Sequence, residues 1–339
     1  MAAFMRDLTP LSDAGRGWGR GLAVPDASDA SDASDTPKPS QAPVIRRGPR
    51  FSLPQRIAGF ARLAHGAPVA MYMLLMVALA PIAALSSQRP LTGEALIRLV
   101  LAMGFAQAAI GVLNDYRDRA LDAASKPQKP LVRGTVQPGE ALALVVVLPG
   151  LALLAAQPFG VAAVLILAAI MTLGFAYDLG FKGTPVSALL FALHFPLLPL
   201  FVWAAMGAWR PFLPWILPIG AALGIAMNIA NSLPDLDEDI AAGVRGLPHL
   251  LGLRRGLALV WAIPLALTLL IWLLHLTGLA RGHLIWLALA TLAAIGSTAA
   301  AILLYRRKPD AATLKGAFYL QAFGALAFAA CWFVAVIAG

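Results

Sequence analysis

The amino-acid sequence predicts an all-α fold: a polytopic membrane bundle of about nine transmembrane helices with a cytoplasmic N-terminus. Three observations predict it. The first is composition. Of 339 residues, 60% are hydrophobic and 13% charged, whereas a soluble domain averages about 45–50% apolar and about 25% charged. The second is the recurrence of apolar runs of spanning length, roughly 20 residues each. The third is the distribution of Lys and Arg, which alternates from one inter-run segment to the next.

The elements follow in chain order. Residues 1–50 are polar and Pro-bearing, with the repeat Asp26-Ala-Ser-Asp29-Ala-Ser-Asp32-Ala-Ser-Asp35 followed by Pro37, Pro39, Pro43 and Pro49. Such a stretch has little apolar surface to bury and is expected to be a disordered tail. No apolar segment of signal-peptide type follows its first basic residues. Residues 51–339 form the transmembrane domain. Gln55 to His65 reads as a short amphipathic helix lying in the interface. Spans are then expected at about 67–85, 96–114, 141–157, 160–177, 186–206, 213–231, 257–276, 283–304 and 316–337. The third and fourth are separated only by Gln157-Pro158-Phe159-Gly160, a tight turn between antiparallel helices.

With the N-terminus inside, the cytoplasmic segments carry 22 Lys and Arg and the opposite side 4. Without the long tail the ratio is still 13 to 4, which supports nine spans and an external C-terminus. The same rule accounts for the net charge of +9, so nucleic acid is not an expected partner. A single cysteine, Cys331, excludes a disulfide framework and a multi-Cys metal site. It lies in an apolar run and is read as packing.

Acidic residues carry the functional signal. Of the eleven outside the tail, seven sit in two short stretches at span ends on the expected cytoplasmic side. A solubilising surface would scatter them. The first stretch runs Asn114-Asp115-Tyr116-Arg117-Asp118-Arg119-Ala120-Leu121-Asp122, and the second Asn231-Ser232-Leu233-Pro234-Asp235-Leu236-Asp237-Glu238-Asp239. Both contain N-x₃-D-x₃-D. Residues four apart share a helix face, so Asn114, Asp118 and Asp122 form one polar ladder, and Asp235 and Asp239 belong to another. Pro234 disfavours a regular helix through Asn231. Like charges at this spacing repel, and ionised carboxylates near a bilayer are costly. Something positive is therefore expected to offset them. Carboxylate and amide oxygens suit Mg²⁺, which binds through one or two carboxylates together with substrate phosphates. Basic residues follow each motif: Lys126, Lys129 and Arg133 before Gly134, then Arg245 after Gly243, with Lys182 alone in the loop after the fourth span. Lys and Arg at these points can clamp phosphate oxygens.

At these residues the chain resembles the UbiA superfamily of intramembrane prenyltransferases. That family's N-D-x₂-D-x₃-D motif reads here Asn114, Asp115, Asp118 and Asp122, with the basic–Pro segment Lys126 to Gly134 behind it. Its Y-x₄-K type motif reads Tyr177 and Lys182. Its second D-x₃-D motif reads Asp235 and Asp239, followed by Gly243 and Arg245. The likeness covers about residues 56–337. It implies nine helices around a central cavity, Mg²⁺-dependent ionisation of a prenyl diphosphate, and capture of the allylic cation by an acceptor. Asp118, Asp122, Asp235 and Asp239 are then the expected metal ligands and catalytic carboxylates, assisted by Asn114 and Asp115. Lys182, Arg245, Lys126, Arg133 and Tyr177 are the expected diphosphate contacts. Asp237 and Glu238 are additional acids outside the family pattern.

Aromatic candidates for cation stabilisation are Phe105, Tyr116, Phe175 and Tyr177. His194, inside the fifth span, is read as an interhelical hydrogen bond. His65, His249, His275 and His283 show no metal-ligand spacing and receive no role. Two other readings stay open. An ion-coupled transporter would place its carboxylates nearer the membrane midplane. A membrane terpene cyclase would use the same metal site without a separate acceptor. The acceptor itself is unidentified, and the expected location is the cell membrane with the site loops on the cytoplasmic side.

Overall fold

The computed structural model describes residues 51–87, 90–241 and 243–339. The tail expected over residues 1–50 lies outside them. An amphipathic helix α1 (Leu53–Leu63) opens the described chain, two residues earlier at each end than the sequence places it. Its Arg56 pairs with Glu140. The spans that follow are α2 (Gly66–Leu85), α3 (Gly93–Ser125), α5 (Pro138–Ala156), α6 (Val161–Ala176), α7 (Val186–Met206) and α8 (Ile216–Ser232), and then α10 (Leu247–Leu276), α11 (Leu284–Arg307) and α12 (Ala311–Ala338). Short helix α4 (Pro130–Arg133) sits in the loop after the first acidic motif, and short helix α9 (Leu236–Ala241) carries the end of the second. Among the described residues nine helices are long and apolar enough to cross a membrane, as the sequence predicts. All nine bury backbone polar groups in their own hydrogen bonds, which the bilayer demands.

Helix ends depart from the expected boundaries where polar residues extend a helix beyond the apolar stretch. α3 is capped by Thr92, whose hydroxyl accepts from the Ala95 amide at 3.1 Å, and continues eleven residues past the expected end at 114. The first acidic motif is therefore the last turns of a spanning helix and not a loop. The expected tight turn at Gln157 to Gly160 is a 3₁₀ turn ended by Gly160 at φ 96°. Pro234 acts as expected: a 3₁₀ turn over Leu233–Asp235 divides α8 from α9, although Asn231 itself remains helical. α10 begins earlier than 257 and bends at Gly252, where φ is 69°.

Helices α7 and α8 approach closely. A Cβ built on Gly224 would lie 2.3 Å from the Phe191 carbonyl oxygen, and one on Gly220 would lie 2.7 Å from Pro196 Cα. Only glycine lets the backbones meet there, the small-xxx-small device of membrane helices. Within this frame, α2, α7, α8 and α12 surround a cavity of about 470 Å³. Its far end is closed by an aromatic cluster. Trp332 and Phe333 line it and pack with Trp203 and Phe212, all four buried. Cys331 is a free, partly buried thiol packed beside this core. His194 is buried, hydrogen-bonds the Ile170 backbone on α6 and sits edge-on to Tyr72 at 6.4 Å, an interhelical contact as the sequence suggests.

Candidate functional site

Lys126, Asn231 and Asp235 line one end of the cavity and make it polar, and α3, the loop after α6 and the α8–α9 junction meet beside them. Extension of α3 past the apolar stretch puts Asn114, Asp115, Asp118 and Asp122 on adjoining faces. After α6 the chain makes a π turn, Tyr177–Phe181, and the Lys182 amide returns to the Tyr177 carbonyl at 2.8 Å. π turns of this kind recur at functional sites. This one brings Lys182 back over α3, where its Nζ donates to Asp118 Oδ2 at 2.5 Å. The second motif arrives through the 3₁₀ turn at Pro234. Lys126 reaches across from the first motif to Asp235 at 3.9 Å. A backbone bond from the Arg245 amide to the Gly183 carbonyl, 2.9 Å, ties the two loops together. Tyr177 opens the turn that carries Lys182 to Asp118.

The carboxylates divide into two sets. Asp118, Asp235 and Asp239 keep side-chain exposures of 23%, 52% and 33%, whereas Asp115 and Asp122 keep 4% each. The inner pair is held by Lys129, whose Nζ donates to both at 2.7 Å. His65 adds a second contact to Asp115 at 2.9 Å. The His65 backbone is left-handed, φ 53°, in the turn between α1 and α2. Its ring presses on Gly111, where a Cβ would come within 3.1 Å, so the glycine one turn before Asp115 makes the room. Burial works to lower the Lys129 pKa, but the hydrogen bonds and charges of Asp115 and Asp122 outweigh it and hold the ammonium above the ordinary lysine value. Lys129 thus competes with a cation for one oxygen of Asp115 and one of Asp122.

Two further groups join the site that sequence reasoning left without a role. His249 Nε2 faces Asp239 Oδ2 at 3.2 Å, carried there by the first turn of α10. Asp178 accepts from the Asn114 side-chain amide at 2.7 Å. Neither has a spacing signature, because each arrives from a different element. Other expected residues stay at the edge. Arg133 and Arg245 are exposed and, among the described residues, form no ion pair with either motif. Asp237 and Glu238 are exposed on α9. Of the aromatic candidates, Tyr177 packs edge-on to Phe191 at 5.3 Å, and Phe191 stacks on Phe195 at 5.9 Å along the cavity wall. Phe105, Tyr116, Phe175 and Tyr177 do not themselves line the cavity. Phe105 packs into the main core and Tyr116 under Arg119.

The donor chemistry fits a hard divalent cation held jointly with a phosphate. Asn114, Asn231, Asp118, Asp235 and Asp239 offer amide and carboxylate oxygens around the mouth, with Asn231, Asp235 and Lys126 lining the cavity itself. Among the described residues no three acidic or histidine side chains converge on one point. The protein alone thus makes no closed cage. A diphosphate would contribute oxygens of its own, as Mg²⁺ sites commonly require.

Comparison with known proteins agrees with this architecture. The family profile described as the UbiA prenyltransferase family matches residues 73–323. A digeranylgeranylglyceryl phosphate synthase of Natronomonas pharaonis is 34% identical over 164 residues, 48% of this chain and 58% of that one. A 4-hydroxybenzoate octaprenyltransferase of Vibrio parahaemolyticus is 28% identical over 162 residues, 47% of this chain and 57% of that one. The chain thus spans less than two thirds of the length of these curated relatives. Among solved structures, a UbiA homolog from Archaeoglobus fulgidus bound to GPP and Mg²⁺ superposes with a TM-score of 0.62 at 20% identity, covering 80% of this chain and 99% of that one. That likeness is one of fold.

Proposed function

The chain belongs to the UbiA prenyltransferase family, and we propose that it transfers a prenyl group from a prenyl diphosphate to an aromatic or other small or lipophilic acceptor inside the membrane, with Mg²⁺ as cofactor. The single observation that carries the reading is the junction of two acidic motifs at the polar mouth of an apolar cavity. Asp118, Asp235 and Asp239, with Asn114, are the ligands we assign to the metal. Asp122 and Asp115 join them in competition with Lys129. When bound, Mg²⁺ neutralises the charge that gathers on the departing diphosphate.

The remaining work belongs to this chain's own side chains. Lys182 and Lys126 lie against Asp118 and Asp235, and each would exchange its carboxylate for a diphosphate oxygen when the substrate enters. Arg245, Arg133 and Tyr177 are further contacts in this reading. The prenyl chain lies along the cavity. From Asn231 to Ile216 the wall of α8 lines it over fifteen steps of the helix, roughly 22 Å at the helical rise. An extended isoprene unit takes roughly 5 Å over its four bonds, so about four units fit. Apolar walls exclude water from the allylic cation, and the faces of Phe191 and Phe195 stabilise it. The chain is an integral multi-pass membrane protein. We place it in the cell membrane with the site loops on the cytoplasmic side, on the Lys and Arg asymmetry.

The test is product identification. Membranes holding the protein are incubated with labelled prenyl diphosphates and a pool of aromatic and lipid acceptors. A labelled adduct is expected, and its structure names the acceptor. Label recovered only as a cyclised hydrocarbon would replace transfer with cyclisation at the same site. Unconsumed label from folded protein would remove the enzymatic reading and leave ion-coupled transport to be tried.

A further inference from the structure

The strongest unexplained group is Asp178. It is the second residue of the π turn after α6, 7% exposed, and sits in neither acidic motif. Its Oδ1 accepts from Asn114 Nδ2 at 2.7 Å. Its Oδ2 is buried with no hydrogen-bond partner. A buried carboxylate oxygen left unpaired is costly, and the π turn could carry an apolar residue here at no such cost. The neighbourhood is the diphosphate end of the site: Lys182, Asp118 and His65 all act on Asp178 electrostatically.

The bond to Asn114 has a chemical consequence. An amide side chain has one donating and one accepting end, and a carboxylate only accepts. Asp178 therefore fixes which end of Asn114 faces it. The Nδ2 is used on Asp178, and Oδ1, the only side-chain atom of Asn114 able to bind a cation, lies at the other end of the amide. Resting on the site reading above, we propose that Asp178 is a positioning residue for the metal–diphosphate site. It orients the Asn114 oxygen, and its unpartnered Oδ2 supplies a third source of negative charge beside Asp118. An aspartate at this position thus links the loop after α6 to the first motif through a residue that no acidic pattern contains.

The test uses the full chain in detergent with inorganic pyrophosphate present throughout, with Mn²⁺ standing in for Mg²⁺ and its binding to the protein read by electron paramagnetic resonance. Asp178→Asn is nearly isosteric, yet its own amide can donate to Asn114 and let that side chain turn over. Mn²⁺ affinity should fall about 10- to 100-fold, the range for residues that orient ligands. In pyrophosphate release the KM for Mg²⁺ should rise by the same factor, while kcat at saturating Mg²⁺ stays within about threefold of wild type. A residue that merely supports the fold would instead lower kcat or yield at every Mg²⁺ concentration, and that result would overturn the proposal. So would Mn²⁺ binding equal to wild type. Should Asp178→Asn not be recovered folded, Asn114→Ala and Asp178→Glu give the same information. In the Asn114→Ala background Asp178→Glu should add almost nothing to the loss, and full additivity would break the assigned link. Wild-type protein that binds no Mn²⁺ would overturn the underlying site reading. Loss confined to the Asp178 comparison would leave that reading intact.

Discussion

Replacing Lys129 with methionine removes one ammonium from between two buried carboxylates and keeps most of its aliphatic length. Asp115 retains His65 at 2.9 Å. Among the described residues, Asp122 retains no side-chain partner, since Lys129 is the one that holds it at 2.7 Å. Breaking one side of a buried pair costs about 3–5 kcal/mol, because the remaining charge is left uncompensated. Lys129 keeps 22% of its side-chain surface, so the low end, about 3 kcal/mol, is expected. Thermal unfolding in detergent, followed by tryptophan fluorescence, measures the loss. Asp122→Asn in the same chain should recover about 2 kcal/mol of it, as the double-mutant cycle of a contacting pair requires. The pH dependence has a definite sign. A pKa held above 10.5 in the folded protein makes the contribution fully present below that pH and lost as pH rises through the folded value. The gap between wild type and Lys129→Met should therefore stay constant from neutral pH to about pH 9 and close only above the lysine range. If Lys129→Met unfolds with wild-type stability, or if Asp122→Asn recovers nothing, the inner pair is not held as described.

Other expectations follow from the packing. Gly224→Val places a branched side chain against the Phe191 carbonyl, where a Cβ alone would approach to 2.3 Å. Forcing α7 from α8 should cost about 1–3 kcal/mol or more, read as a lower unfolding temperature, and Gly296→Val, where a Cβ meets nothing within 4 Å, should cost far less. Trp332→Ala opens the closed end of the cavity. It should raise kcat/KM for longer prenyl diphosphates over shorter ones by about 10-fold, the scale of discrimination by apolar pockets; an unchanged ratio would show that the chain does not end at Trp332.

The bundle was legible because its signal is compositional. Nine apolar runs and a one-sided distribution of Lys and Arg need no tertiary information, and each run became a helix. The paired motifs were legible because helical spacing alone places Asn114, Asp118 and Asp122 side by side. What could not be read was the division of labour among the acids. Asp115 and Asp122 look like Asp118 in sequence, and only the return of Lys129 through the loop after α3 separates an inner, neutralised pair from the outer set. His249 and Asp178 were missed for the same reason. Each reaches the site from an element distant in sequence, the first through the α10 turn and the second through a π turn that no hydrophobic period predicts. Phe191 and Phe195 were passed over for Phe105 and Tyr116 because an apolar helix buried on many sides shows no face in its sequence.

The central claim is that two acidic motifs form one diphosphate site. Its most direct test is pyrophosphate release from a labelled prenyl diphosphate, with Mg²⁺ or with EDTA, by wild type and by the Asp118→Ala, Asp239→Ala double variant. Release is expected to need Mg²⁺ and to fall by at least about 100-fold in the folded double variant, two ligand losses at roughly 10-fold or more each. Release that persists in EDTA, or at the wild-type rate in the double variant, would contradict it.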